Sequence, residues 1–279
     1  MNASSSEQQQ QSQVAAKKEP RHARFRKAVL LNAGKQGEPK WMIRRILLFL
    51  ASTIFLPLFR VRVTGAENLP QGPCIISPNH VSYYDGVLLF CITRSLKLPL
   101  RVLARRDLYR FAFLGWVLDS VGVMPVSRNA ADREALSLAS KAIKAGDVMA
   151  VFPEGTRRRG GSSQLAEDSQ ALGEASGGAA WLAIRNTVPI VPMAFAGTEG
   201  IRPEGVRLMR FPRVTISFGP VIDPDVVLPK TDYTKKERIA RLTDLIMAGI
   251  ANTLEAAQAQ NAARTEKDGK GNTAESAGN

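Results

Sequence analysis

Pro73-Cys74-Ile75-Ile76-Ser77-Pro78-Asn79-His80-Val81-Ser82-Tyr83-Tyr84-Asp85 joins a short apolar run to a break and then to a longer apolar run, Gly86 to Leu98. Cys74 to Ser77 reads as a buried strand stopped by Pro78, and Gly86 to Leu98 as a helix. Five helical positions rotate by about 140°, so His80 and Asp85 would point apart if the whole segment were helical. The spacing therefore predicts His80 in a loop at a strand end and Asp85 at the start of the next helix. An imidazole accepts a proton near neutral pH, and a neighbouring carboxylate fixes its tautomer and stabilises its charged form. Read alone, Asp85 is equally an ordinary helix cap and His80 a loop residue without a role.

The same alternation continues along the chain. Strands are expected at Val61 to Thr64, Cys74 to Ser77, Arg101 to Ala104, Val123 to Val126, Val148 to Phe152, Ile190 to Ala196 and Val214 to Phe218. Helices are expected at Gly86 to Leu98, Arg110 to Asp119, Asp132 to Lys144, Ala175 to Asn186 and Thr234 to Leu254. Strands separated by helices of this length imply crossovers, hence an α/β fold with a mixed, largely parallel sheet flanked by helices.

A second motif follows the strand Asp147 to Phe152: Pro153-Glu154-Gly155-Thr156-Arg157, with Arg158 and Arg159 behind it. A strand ending in proline, carboxylate, glycine and arginine suits close approach of backbone and guanidinium to a phosphate. It also reads as a solvated turn with a basic flank. Between the two motifs lies Gly122-Val123-Met124-Pro125-Val126-Ser127-Arg128, and beyond them Val188-Pro189-Ile190-Val191-Pro192-Met193-Ala194.

In this order the four blocks resemble the glycerolipid acyltransferase family typified by 1-acylglycerol-3-phosphate acyltransferase, over roughly residues 60 to 220. The resemblance implies that His80 is the general base and Asp85 its orienting partner. It assigns Arg128, Glu154, Gly155, Thr156 and Arg157 to binding of the glycerol phosphate. It further implies an O-acyltransferase that moves a fatty acyl chain from acyl-CoA or acyl carrier protein to a lysophospholipid, foremost 1-acylglycerol 3-phosphate. No metal and no resident cofactor is expected, and the implied location is the cytoplasmic face of the cell membrane, peripheral or monotopic. Two departures stand out. Glu174-Ala175-Ser176-Gly177-Gly178-Ala179 offers no lysine ahead of the fourth block, and Met124-Pro125 replaces plain β-formers in the second.

Other nucleophiles fit poorly. Ser82 lies two positions from His80, and no Gly-x-Ser-x-Gly elbow occurs. Cys74 and Cys91, the two cysteines, fall within apolar runs and read as buried hydrophobes in a reducing compartment. Oxyanion donors are expected among backbone N–H groups of the His80 loop and the following helix start.

Composition bounds the rest. The chain has 279 residues, 44% hydrophobic and 23% charged, enough for one main domain, and a net charge of +13. Residues 1 to 45 hold ten Lys or Arg against three Glu. Residues 1–40 are expected to be a disordered basic tail, 41–59 a membrane-interfacial helix, 60–257 the acyltransferase domain, and 258–279 a disordered tail. Ile46 to Phe59 carries no charge, but at 14 residues it falls short of the about 20 needed to span a bilayer. It reads as an interfacial helix or as a buried core helix. Arg44, Arg45, Arg60 and Arg62 at its ends, with Trp41, favour the membrane.

Three features stay open. Arg101, Arg105, Arg106 and Arg110 suit donor phosphates, acyl carrier protein, lipid headgroups or plain solvent. Phe111 to Leu118 lines an acyl groove or packs in the core. Gly160 to Gly178 is polar and rich in Gly and Ser, and reads as a lid. The competing classes are a transacylase of the same fold and a non-enzymatic basic protein binding membrane or nucleic acid. The latter lacks any nucleic-acid motif, so no nucleic-acid partner is expected.

Overall fold

A computed structural model describes residues 39–126, 131–153, 177–203, 205–206 and 208–276. Its strands are β1 Arg62–Thr64, β2 Ile75–Pro78, β3 Leu100–Arg105, β4 Val123–Val126, β5 Val148–Ala150, β6 Ile190–Ala196 and β7 Thr215–Phe218. Its helices are α1 Pro39–Leu58, α2 Tyr84–Ser95, α3 Ala112–Val121, α4 Ala131–Lys144, α5 Gly178–Asn186, α6 Pro224–Val227 and α7 Lys235–Ser276. All seven expected strands form, in one sheet of order β1-β7-β6-β2-β5-β3-β4. Five neighbours, β6 through β4, run parallel, while β7 is antiparallel to β6 and pairs in parallel with β1. The sheet is mixed and mostly parallel, with helices on both faces.

Alternation along each strand separates two core layers. Ile76, Val148, Ala150, Val191, Met193 and Phe195 point to one layer with Leu88, Leu89 and Ile92 of α2. Ile75, Met149 and Ile190 point to the other, with Ile143 of α4, Leu182 of α5 and Ile246 of α7. Chain direction explains the division. From β2 through β3 to β4 the chain steps outward along the sheet, and from β4 through β5 to β6 it steps back. Right-handed crossovers in opposite directions place their helices on opposite faces.

Block two keeps its backbone pairing despite proline. Pro125 sits opposite Ala104 on β4, the outermost strand, where one side of the ladder needs no donor. Gly122, at φ 90°, caps α3 in the left-handed region and turns the chain straight into β4.

Helix α1 turns one face to the core and leaves the other exposed. Leu48, Phe55 and Leu56 pack against the core. Met42, Ile46, Phe49, Leu50, Ile54 and Leu58 recur at helical spacing and are exposed. Among the described residues no helix is long and apolar enough to cross a membrane. The α3 segment is likewise divided: Leu118 packs inward, whereas Phe113 is 78% and Trp116 42% exposed. In the basic cluster, Arg101 pairs with Asp147 at 3.0 Å and Arg110 lies over the Phe111 ring. The side chains of Arg105 and Arg106, and the segment 160–176 of the expected lid, lie outside the described residues.

The expected tail from Gln258 is corrected: α7 runs for 42 residues to Ser276. Thr234 and Glu237 start it with reciprocal bonds, each side chain accepting the other's backbone N–H. Its sequence past Gln258 is polar but rich in Ala, Glu and Lys, which are good helix formers. The extension is also tied down. Asn261 donates to Arg213 O at 3.1 Å, and Arg264 donates to Val214 O, Thr215 Oγ1 and Arg60 O. A chain ending at Ala257 should melt about 5–10 °C lower in a thermal scan, from net hydrogen-bond values of about 1 kcal/mol each. An unchanged midpoint would mean that the extension contributes nothing to stability.

Candidate active site

The site begins where β2 ends. Pro78 has no N–H to continue the ladder, and the buried Asn79 takes over. Its backbone N–H donates to Met193 O at 3.3 Å, its Nδ2 donates to Phe195 O at 3.2 Å, and its Oδ1 accepts from Phe195 N at 2.8 Å. The side-chain amide thus imitates a peptide unit and prolongs β2–β6 pairing past the proline. His80 leaves the sheet from a fixed point.

Asp85 lies in the first turn of α2 and is fully buried. Its Oδ2 accepts from Val81 N at 2.9 Å, from Ser82 N at 2.7 Å and from His80 Nδ1 at 3.0 Å. Charge-assisted bonds of this kind offset the desolvation of a carboxylate. They also settle the imidazole: Nδ1–H donates to Asp85, leaving the Nε2 lone pair as the basic site. The His80 side chain is 24% exposed, so that nitrogen has access to a substrate.

On the other side of β2, strand β5 sends its following residues to the same edge. Val151 N donates to Ile76 O at 3.0 Å, and Ser77 Oγ donates to Val151 O at 3.2 Å. Phe152 then packs on His80, ring centroids 4.4 Å apart and planes tilted by 42°. Block three therefore starts against the imidazole. Phe152 both closes the expected strand and opens the third block of the family pattern. Arg128, Glu154, Gly155, Thr156 and Arg157 lie outside the described residues. Strands β4 and β5 are parallel to β2, so the carboxyl ends of all three lie at one edge of the sheet. Block four is β6 itself, paired with β2 through Ile76↔Val191 and Ser77↔Pro192.

Four of the expected oxyanion donors are engaged: Val81 and Ser82 N–H donate to Asp85, Tyr84 N–H to Ser82 Oγ, and Asp85 N–H to Ser82 O. The first two face inward because the buried carboxylate takes them, and the last two close the turn on Ser82. Ser82 is held in this turn, which agrees with its exclusion as a nucleophile. Cys74 and Cys91 are buried, and desolvation pushes their thiols up to about 12 and about 11. Neither supplies a thiolate at neutral pH.

Glu199, after β6, carries no sequence signal but joins this neighbourhood. Its side chain is exposed and accepts from the Gly197 backbone N–H at 3.0 Å. Desolvation raises its carboxyl pKa first, backbone N–H groups of Glu199 and Gly197 oppose this, and the charge of Asp85 adds to the rise.

Replacing Asn79 by Ala would strand the N–H and C=O of Phe195 in the core. Urea unfolding should show a loss of about 2–4 kcal/mol, and a loss under about 1 kcal/mol would show that the amide does not hold the loop.

Comparison with known proteins agrees with this geometry. A family model described as Acyltransferase matches residues 60–196. A 1-acyl-sn-glycerol-3-phosphate acyltransferase of Borreliella burgdorferi is 30% identical over 207 residues, 73% of this chain and 75% of that protein. The chloroplastic 1-acyl-sn-glycerol-3-phosphate acyltransferase BAT2 of Brassica napus is 30% identical over 159 residues, 56% of this chain. The match spans only 42% of that plant protein's length. The crystal structure of the 1-acyl-sn-glycerophosphate acyltransferase PlsC from Thermotoga maritima has the same fold. Its TM-score is 0.57 at 21% identity, covering 77% of this chain and 83% of that one. On the matched segment, the ordered motifs and the sheet, the chain belongs to the acyltransferase family that includes the 1-acyl-sn-glycerol-3-phosphate acyltransferases.

Proposed function

We propose that this protein transfers a fatty acyl chain from an acyl thioester to the free hydroxyl of 1-acylglycerol 3-phosphate, giving phosphatidic acid. The observation that carries this reading is the His80 Nδ1–Asp85 Oδ2 bond of 3.0 Å at the shared carboxyl edge of β2 and β5. His80 Nε2 takes the hydroxyl proton as the acceptor oxygen attacks the thioester carbonyl. The tetrahedral intermediate then collapses, the C–S bond breaks, and the imidazolium returns its proton to the departing thiolate. Asp85 stabilises the imidazolium between the two transfers. The products are an ester and a free thiol, without an acyl-enzyme.

Arg128, Glu154, Gly155, Thr156 and Arg157 hold the glycerol phosphate on this reading. Arginine suits that task because its planar fork matches phosphate oxygens in pairs. The donor is acyl-CoA or acyl carrier protein, and the chemistry calls for no metal and no resident cofactor. The acceptor is a lipid, so the enzyme works at a membrane surface, on the cytoplasmic face. The exposed apolar stripe of α1 and the outward Phe113 and Trp116 of α3 support a helix lying in the interface.

Purified protein given an acyl thioester and 1-acylglycerol 3-phosphate should release thiol in step with phosphatidic acid. His80→Ala should lower that rate by about 10²–10⁴-fold, the usual range for a general base. Product formation without thiol release would point to a transacylase, and full activity in His80→Ala would remove the base assignment. Arg157→Ala should raise the acceptor KM or lower turnover while leaving donor KM near its original value. An effect confined to the donor would contradict the phosphate role.

A further inference from the structure

The catalytic edge of the sheet carries a second collection of cations. Strands β1 and β7 run opposite to β6, so their amino ends lie at the carboxyl end of β6, on the edge where His80 follows β2. Arg62 opens β1 and stands opposite Thr215, the first residue of β7, and Thr215 stands opposite Ala196 at the end of β6. Arg213 lies two residues before β7. Arg60 follows α1 with φ 43°, in the left-handed region that an arginine seldom occupies.

Arg264 of α7 joins this edge by bonding the backbone beside it. One guanidinium nitrogen donates to Arg60 O at 2.7 Å, and the other to Thr215 Oγ1 at 3.2 Å and Val214 O at 3.4 Å. All three acceptors are neutral. Among the described residues Arg60, Arg62 and Arg264 pair with no carboxylate. The Arg264 pKa is lowered, by desolvation first and then by the charges of Arg62 and Arg213. The Arg264 guanidinium is fixed on neutral acceptors within reach of the charges of Arg62 and Arg213, a repulsion that an anion would relieve.

We propose that Arg60, Arg62, Arg213 and Arg264 form a site for the phosphate groups of anionic phospholipids, which docks the catalytic edge of the sheet onto a bilayer. The surroundings select a lipid over a nucleic acid. Leu208 is 80% exposed and Phe211 45% exposed, in the loop that leads to Arg213. Phe211 packs on Phe59 at the end of α1, ring centroids 5.8 Å apart. Guanidiniums beside outward apolar side chains match the boundary between headgroups and acyl chains. A nucleic acid offers phosphates without that apolar layer. The inference rests on the proposed function only in needing a bilayer within reach, and its readout is binding.

The test uses the full chain with phosphatidylcholine vesicles, with and without phosphatidylglycerol, read by sedimentation. Changing both Arg62 and Arg213 to Gln should weaken partition onto phosphatidylglycerol vesicles by about 25-fold, about fivefold per arginine. Binding to pure phosphatidylcholine should stay as it was. The same pair changed to Lys, which keeps the charge, should bind anionic vesicles nearly as the parent does, and this separates a charge role from a packing role. Turnover on a detergent-dispersed acceptor should be equal in all three proteins. The proposal is overturned if the Gln pair partitions normally, if it loses equally on both vesicle types, or if the Lys pair fails as the Gln pair does. It is also overturned if duplex DNA is retained and the Gln pair abolishes that retention. Phosphatidylglycerol-dependent binding that fails in the Gln pair and survives in the Lys pair supports the site, even in a protein that transfers no acyl chain.

Discussion

One carboxylate oxygen organises the site. Asp85 Oδ2 accepts from the Val81 and Ser82 backbones and from the His80 ring, so a buried charge is held through one oxygen by donors drawn from a loop of a few residues, while Oδ1 is buried without a hydrogen-bond partner. An uncompensated carboxylate in the interior is costly by several kcal/mol. The loop cannot swing away without leaving that charge bare. The same bonds fix the imidazole tautomer and turn the loop's N–H groups inward. Rigidity of the base and the inward turn of the Val81 and Ser82 N–H groups are therefore two results of one interaction.

The location of that loop follows from topology. After β2 the chain leaves toward α2 on one face of the sheet, and after β5 it leaves toward α5 on the other. Adjacent parallel strands whose connections diverge open a crevice at their carboxyl ends, and open α/β sheets bind ligands there. Both walls are tied to the sheet beneath them. Asn79 carries the pairing of β2 beyond Pro78 on the β6 side, and Ser77 and Val151 do so on the β5 side. The tilted contact of Phe152 with His80 joins the first motif to the start of the third.

The strands were legible because each is a short apolar run closed by proline, glycine or charge. Proline in β4 is informative only once that strand is known to be an edge, and no local pattern tells edge from centre. The His80–Asp85 pair was legible from spacing, since a strand, a break and a helix start leave one way to bring the two together. The role of the Asn79 side chain was not, because its partner Phe195 lies 116 residues away. Glu199 escaped for the same reason. The end of α7 misled because polar residues read as tail, whereas Asn261 and Arg264 owe their order to acceptors on β7 and near β1. Polarity along a helix measures exposure, and exposure is compatible with a few strong anchors.

Helix α1 shows how one sequence feature supports two demands. Its inward residues Leu48, Phe55 and Leu56 hold it against the core layer that contains α2, and Arg94 of α2 reaches across to Ser52 Oγ and the Phe49 ring. Its outward residues would cost stability in water, at about 25 cal/mol for each Å² of apolar surface left exposed. A soluble protein gains nothing from such a stripe, since polar residues on the same face would leave the inner contacts intact. The stripe gains meaning next to a lipid phase, and on the proposed reading the acceptor is in that phase. Position strengthens the point, because α1 ends at Phe59, which touches both Tyr84 at the start of α2 and Phe211 in the exposed loop. The helix that would meet the lipid and the helix that carries Asp85 are therefore in direct contact, and the distance from bilayer to base is set by packing rather than by a flexible tether.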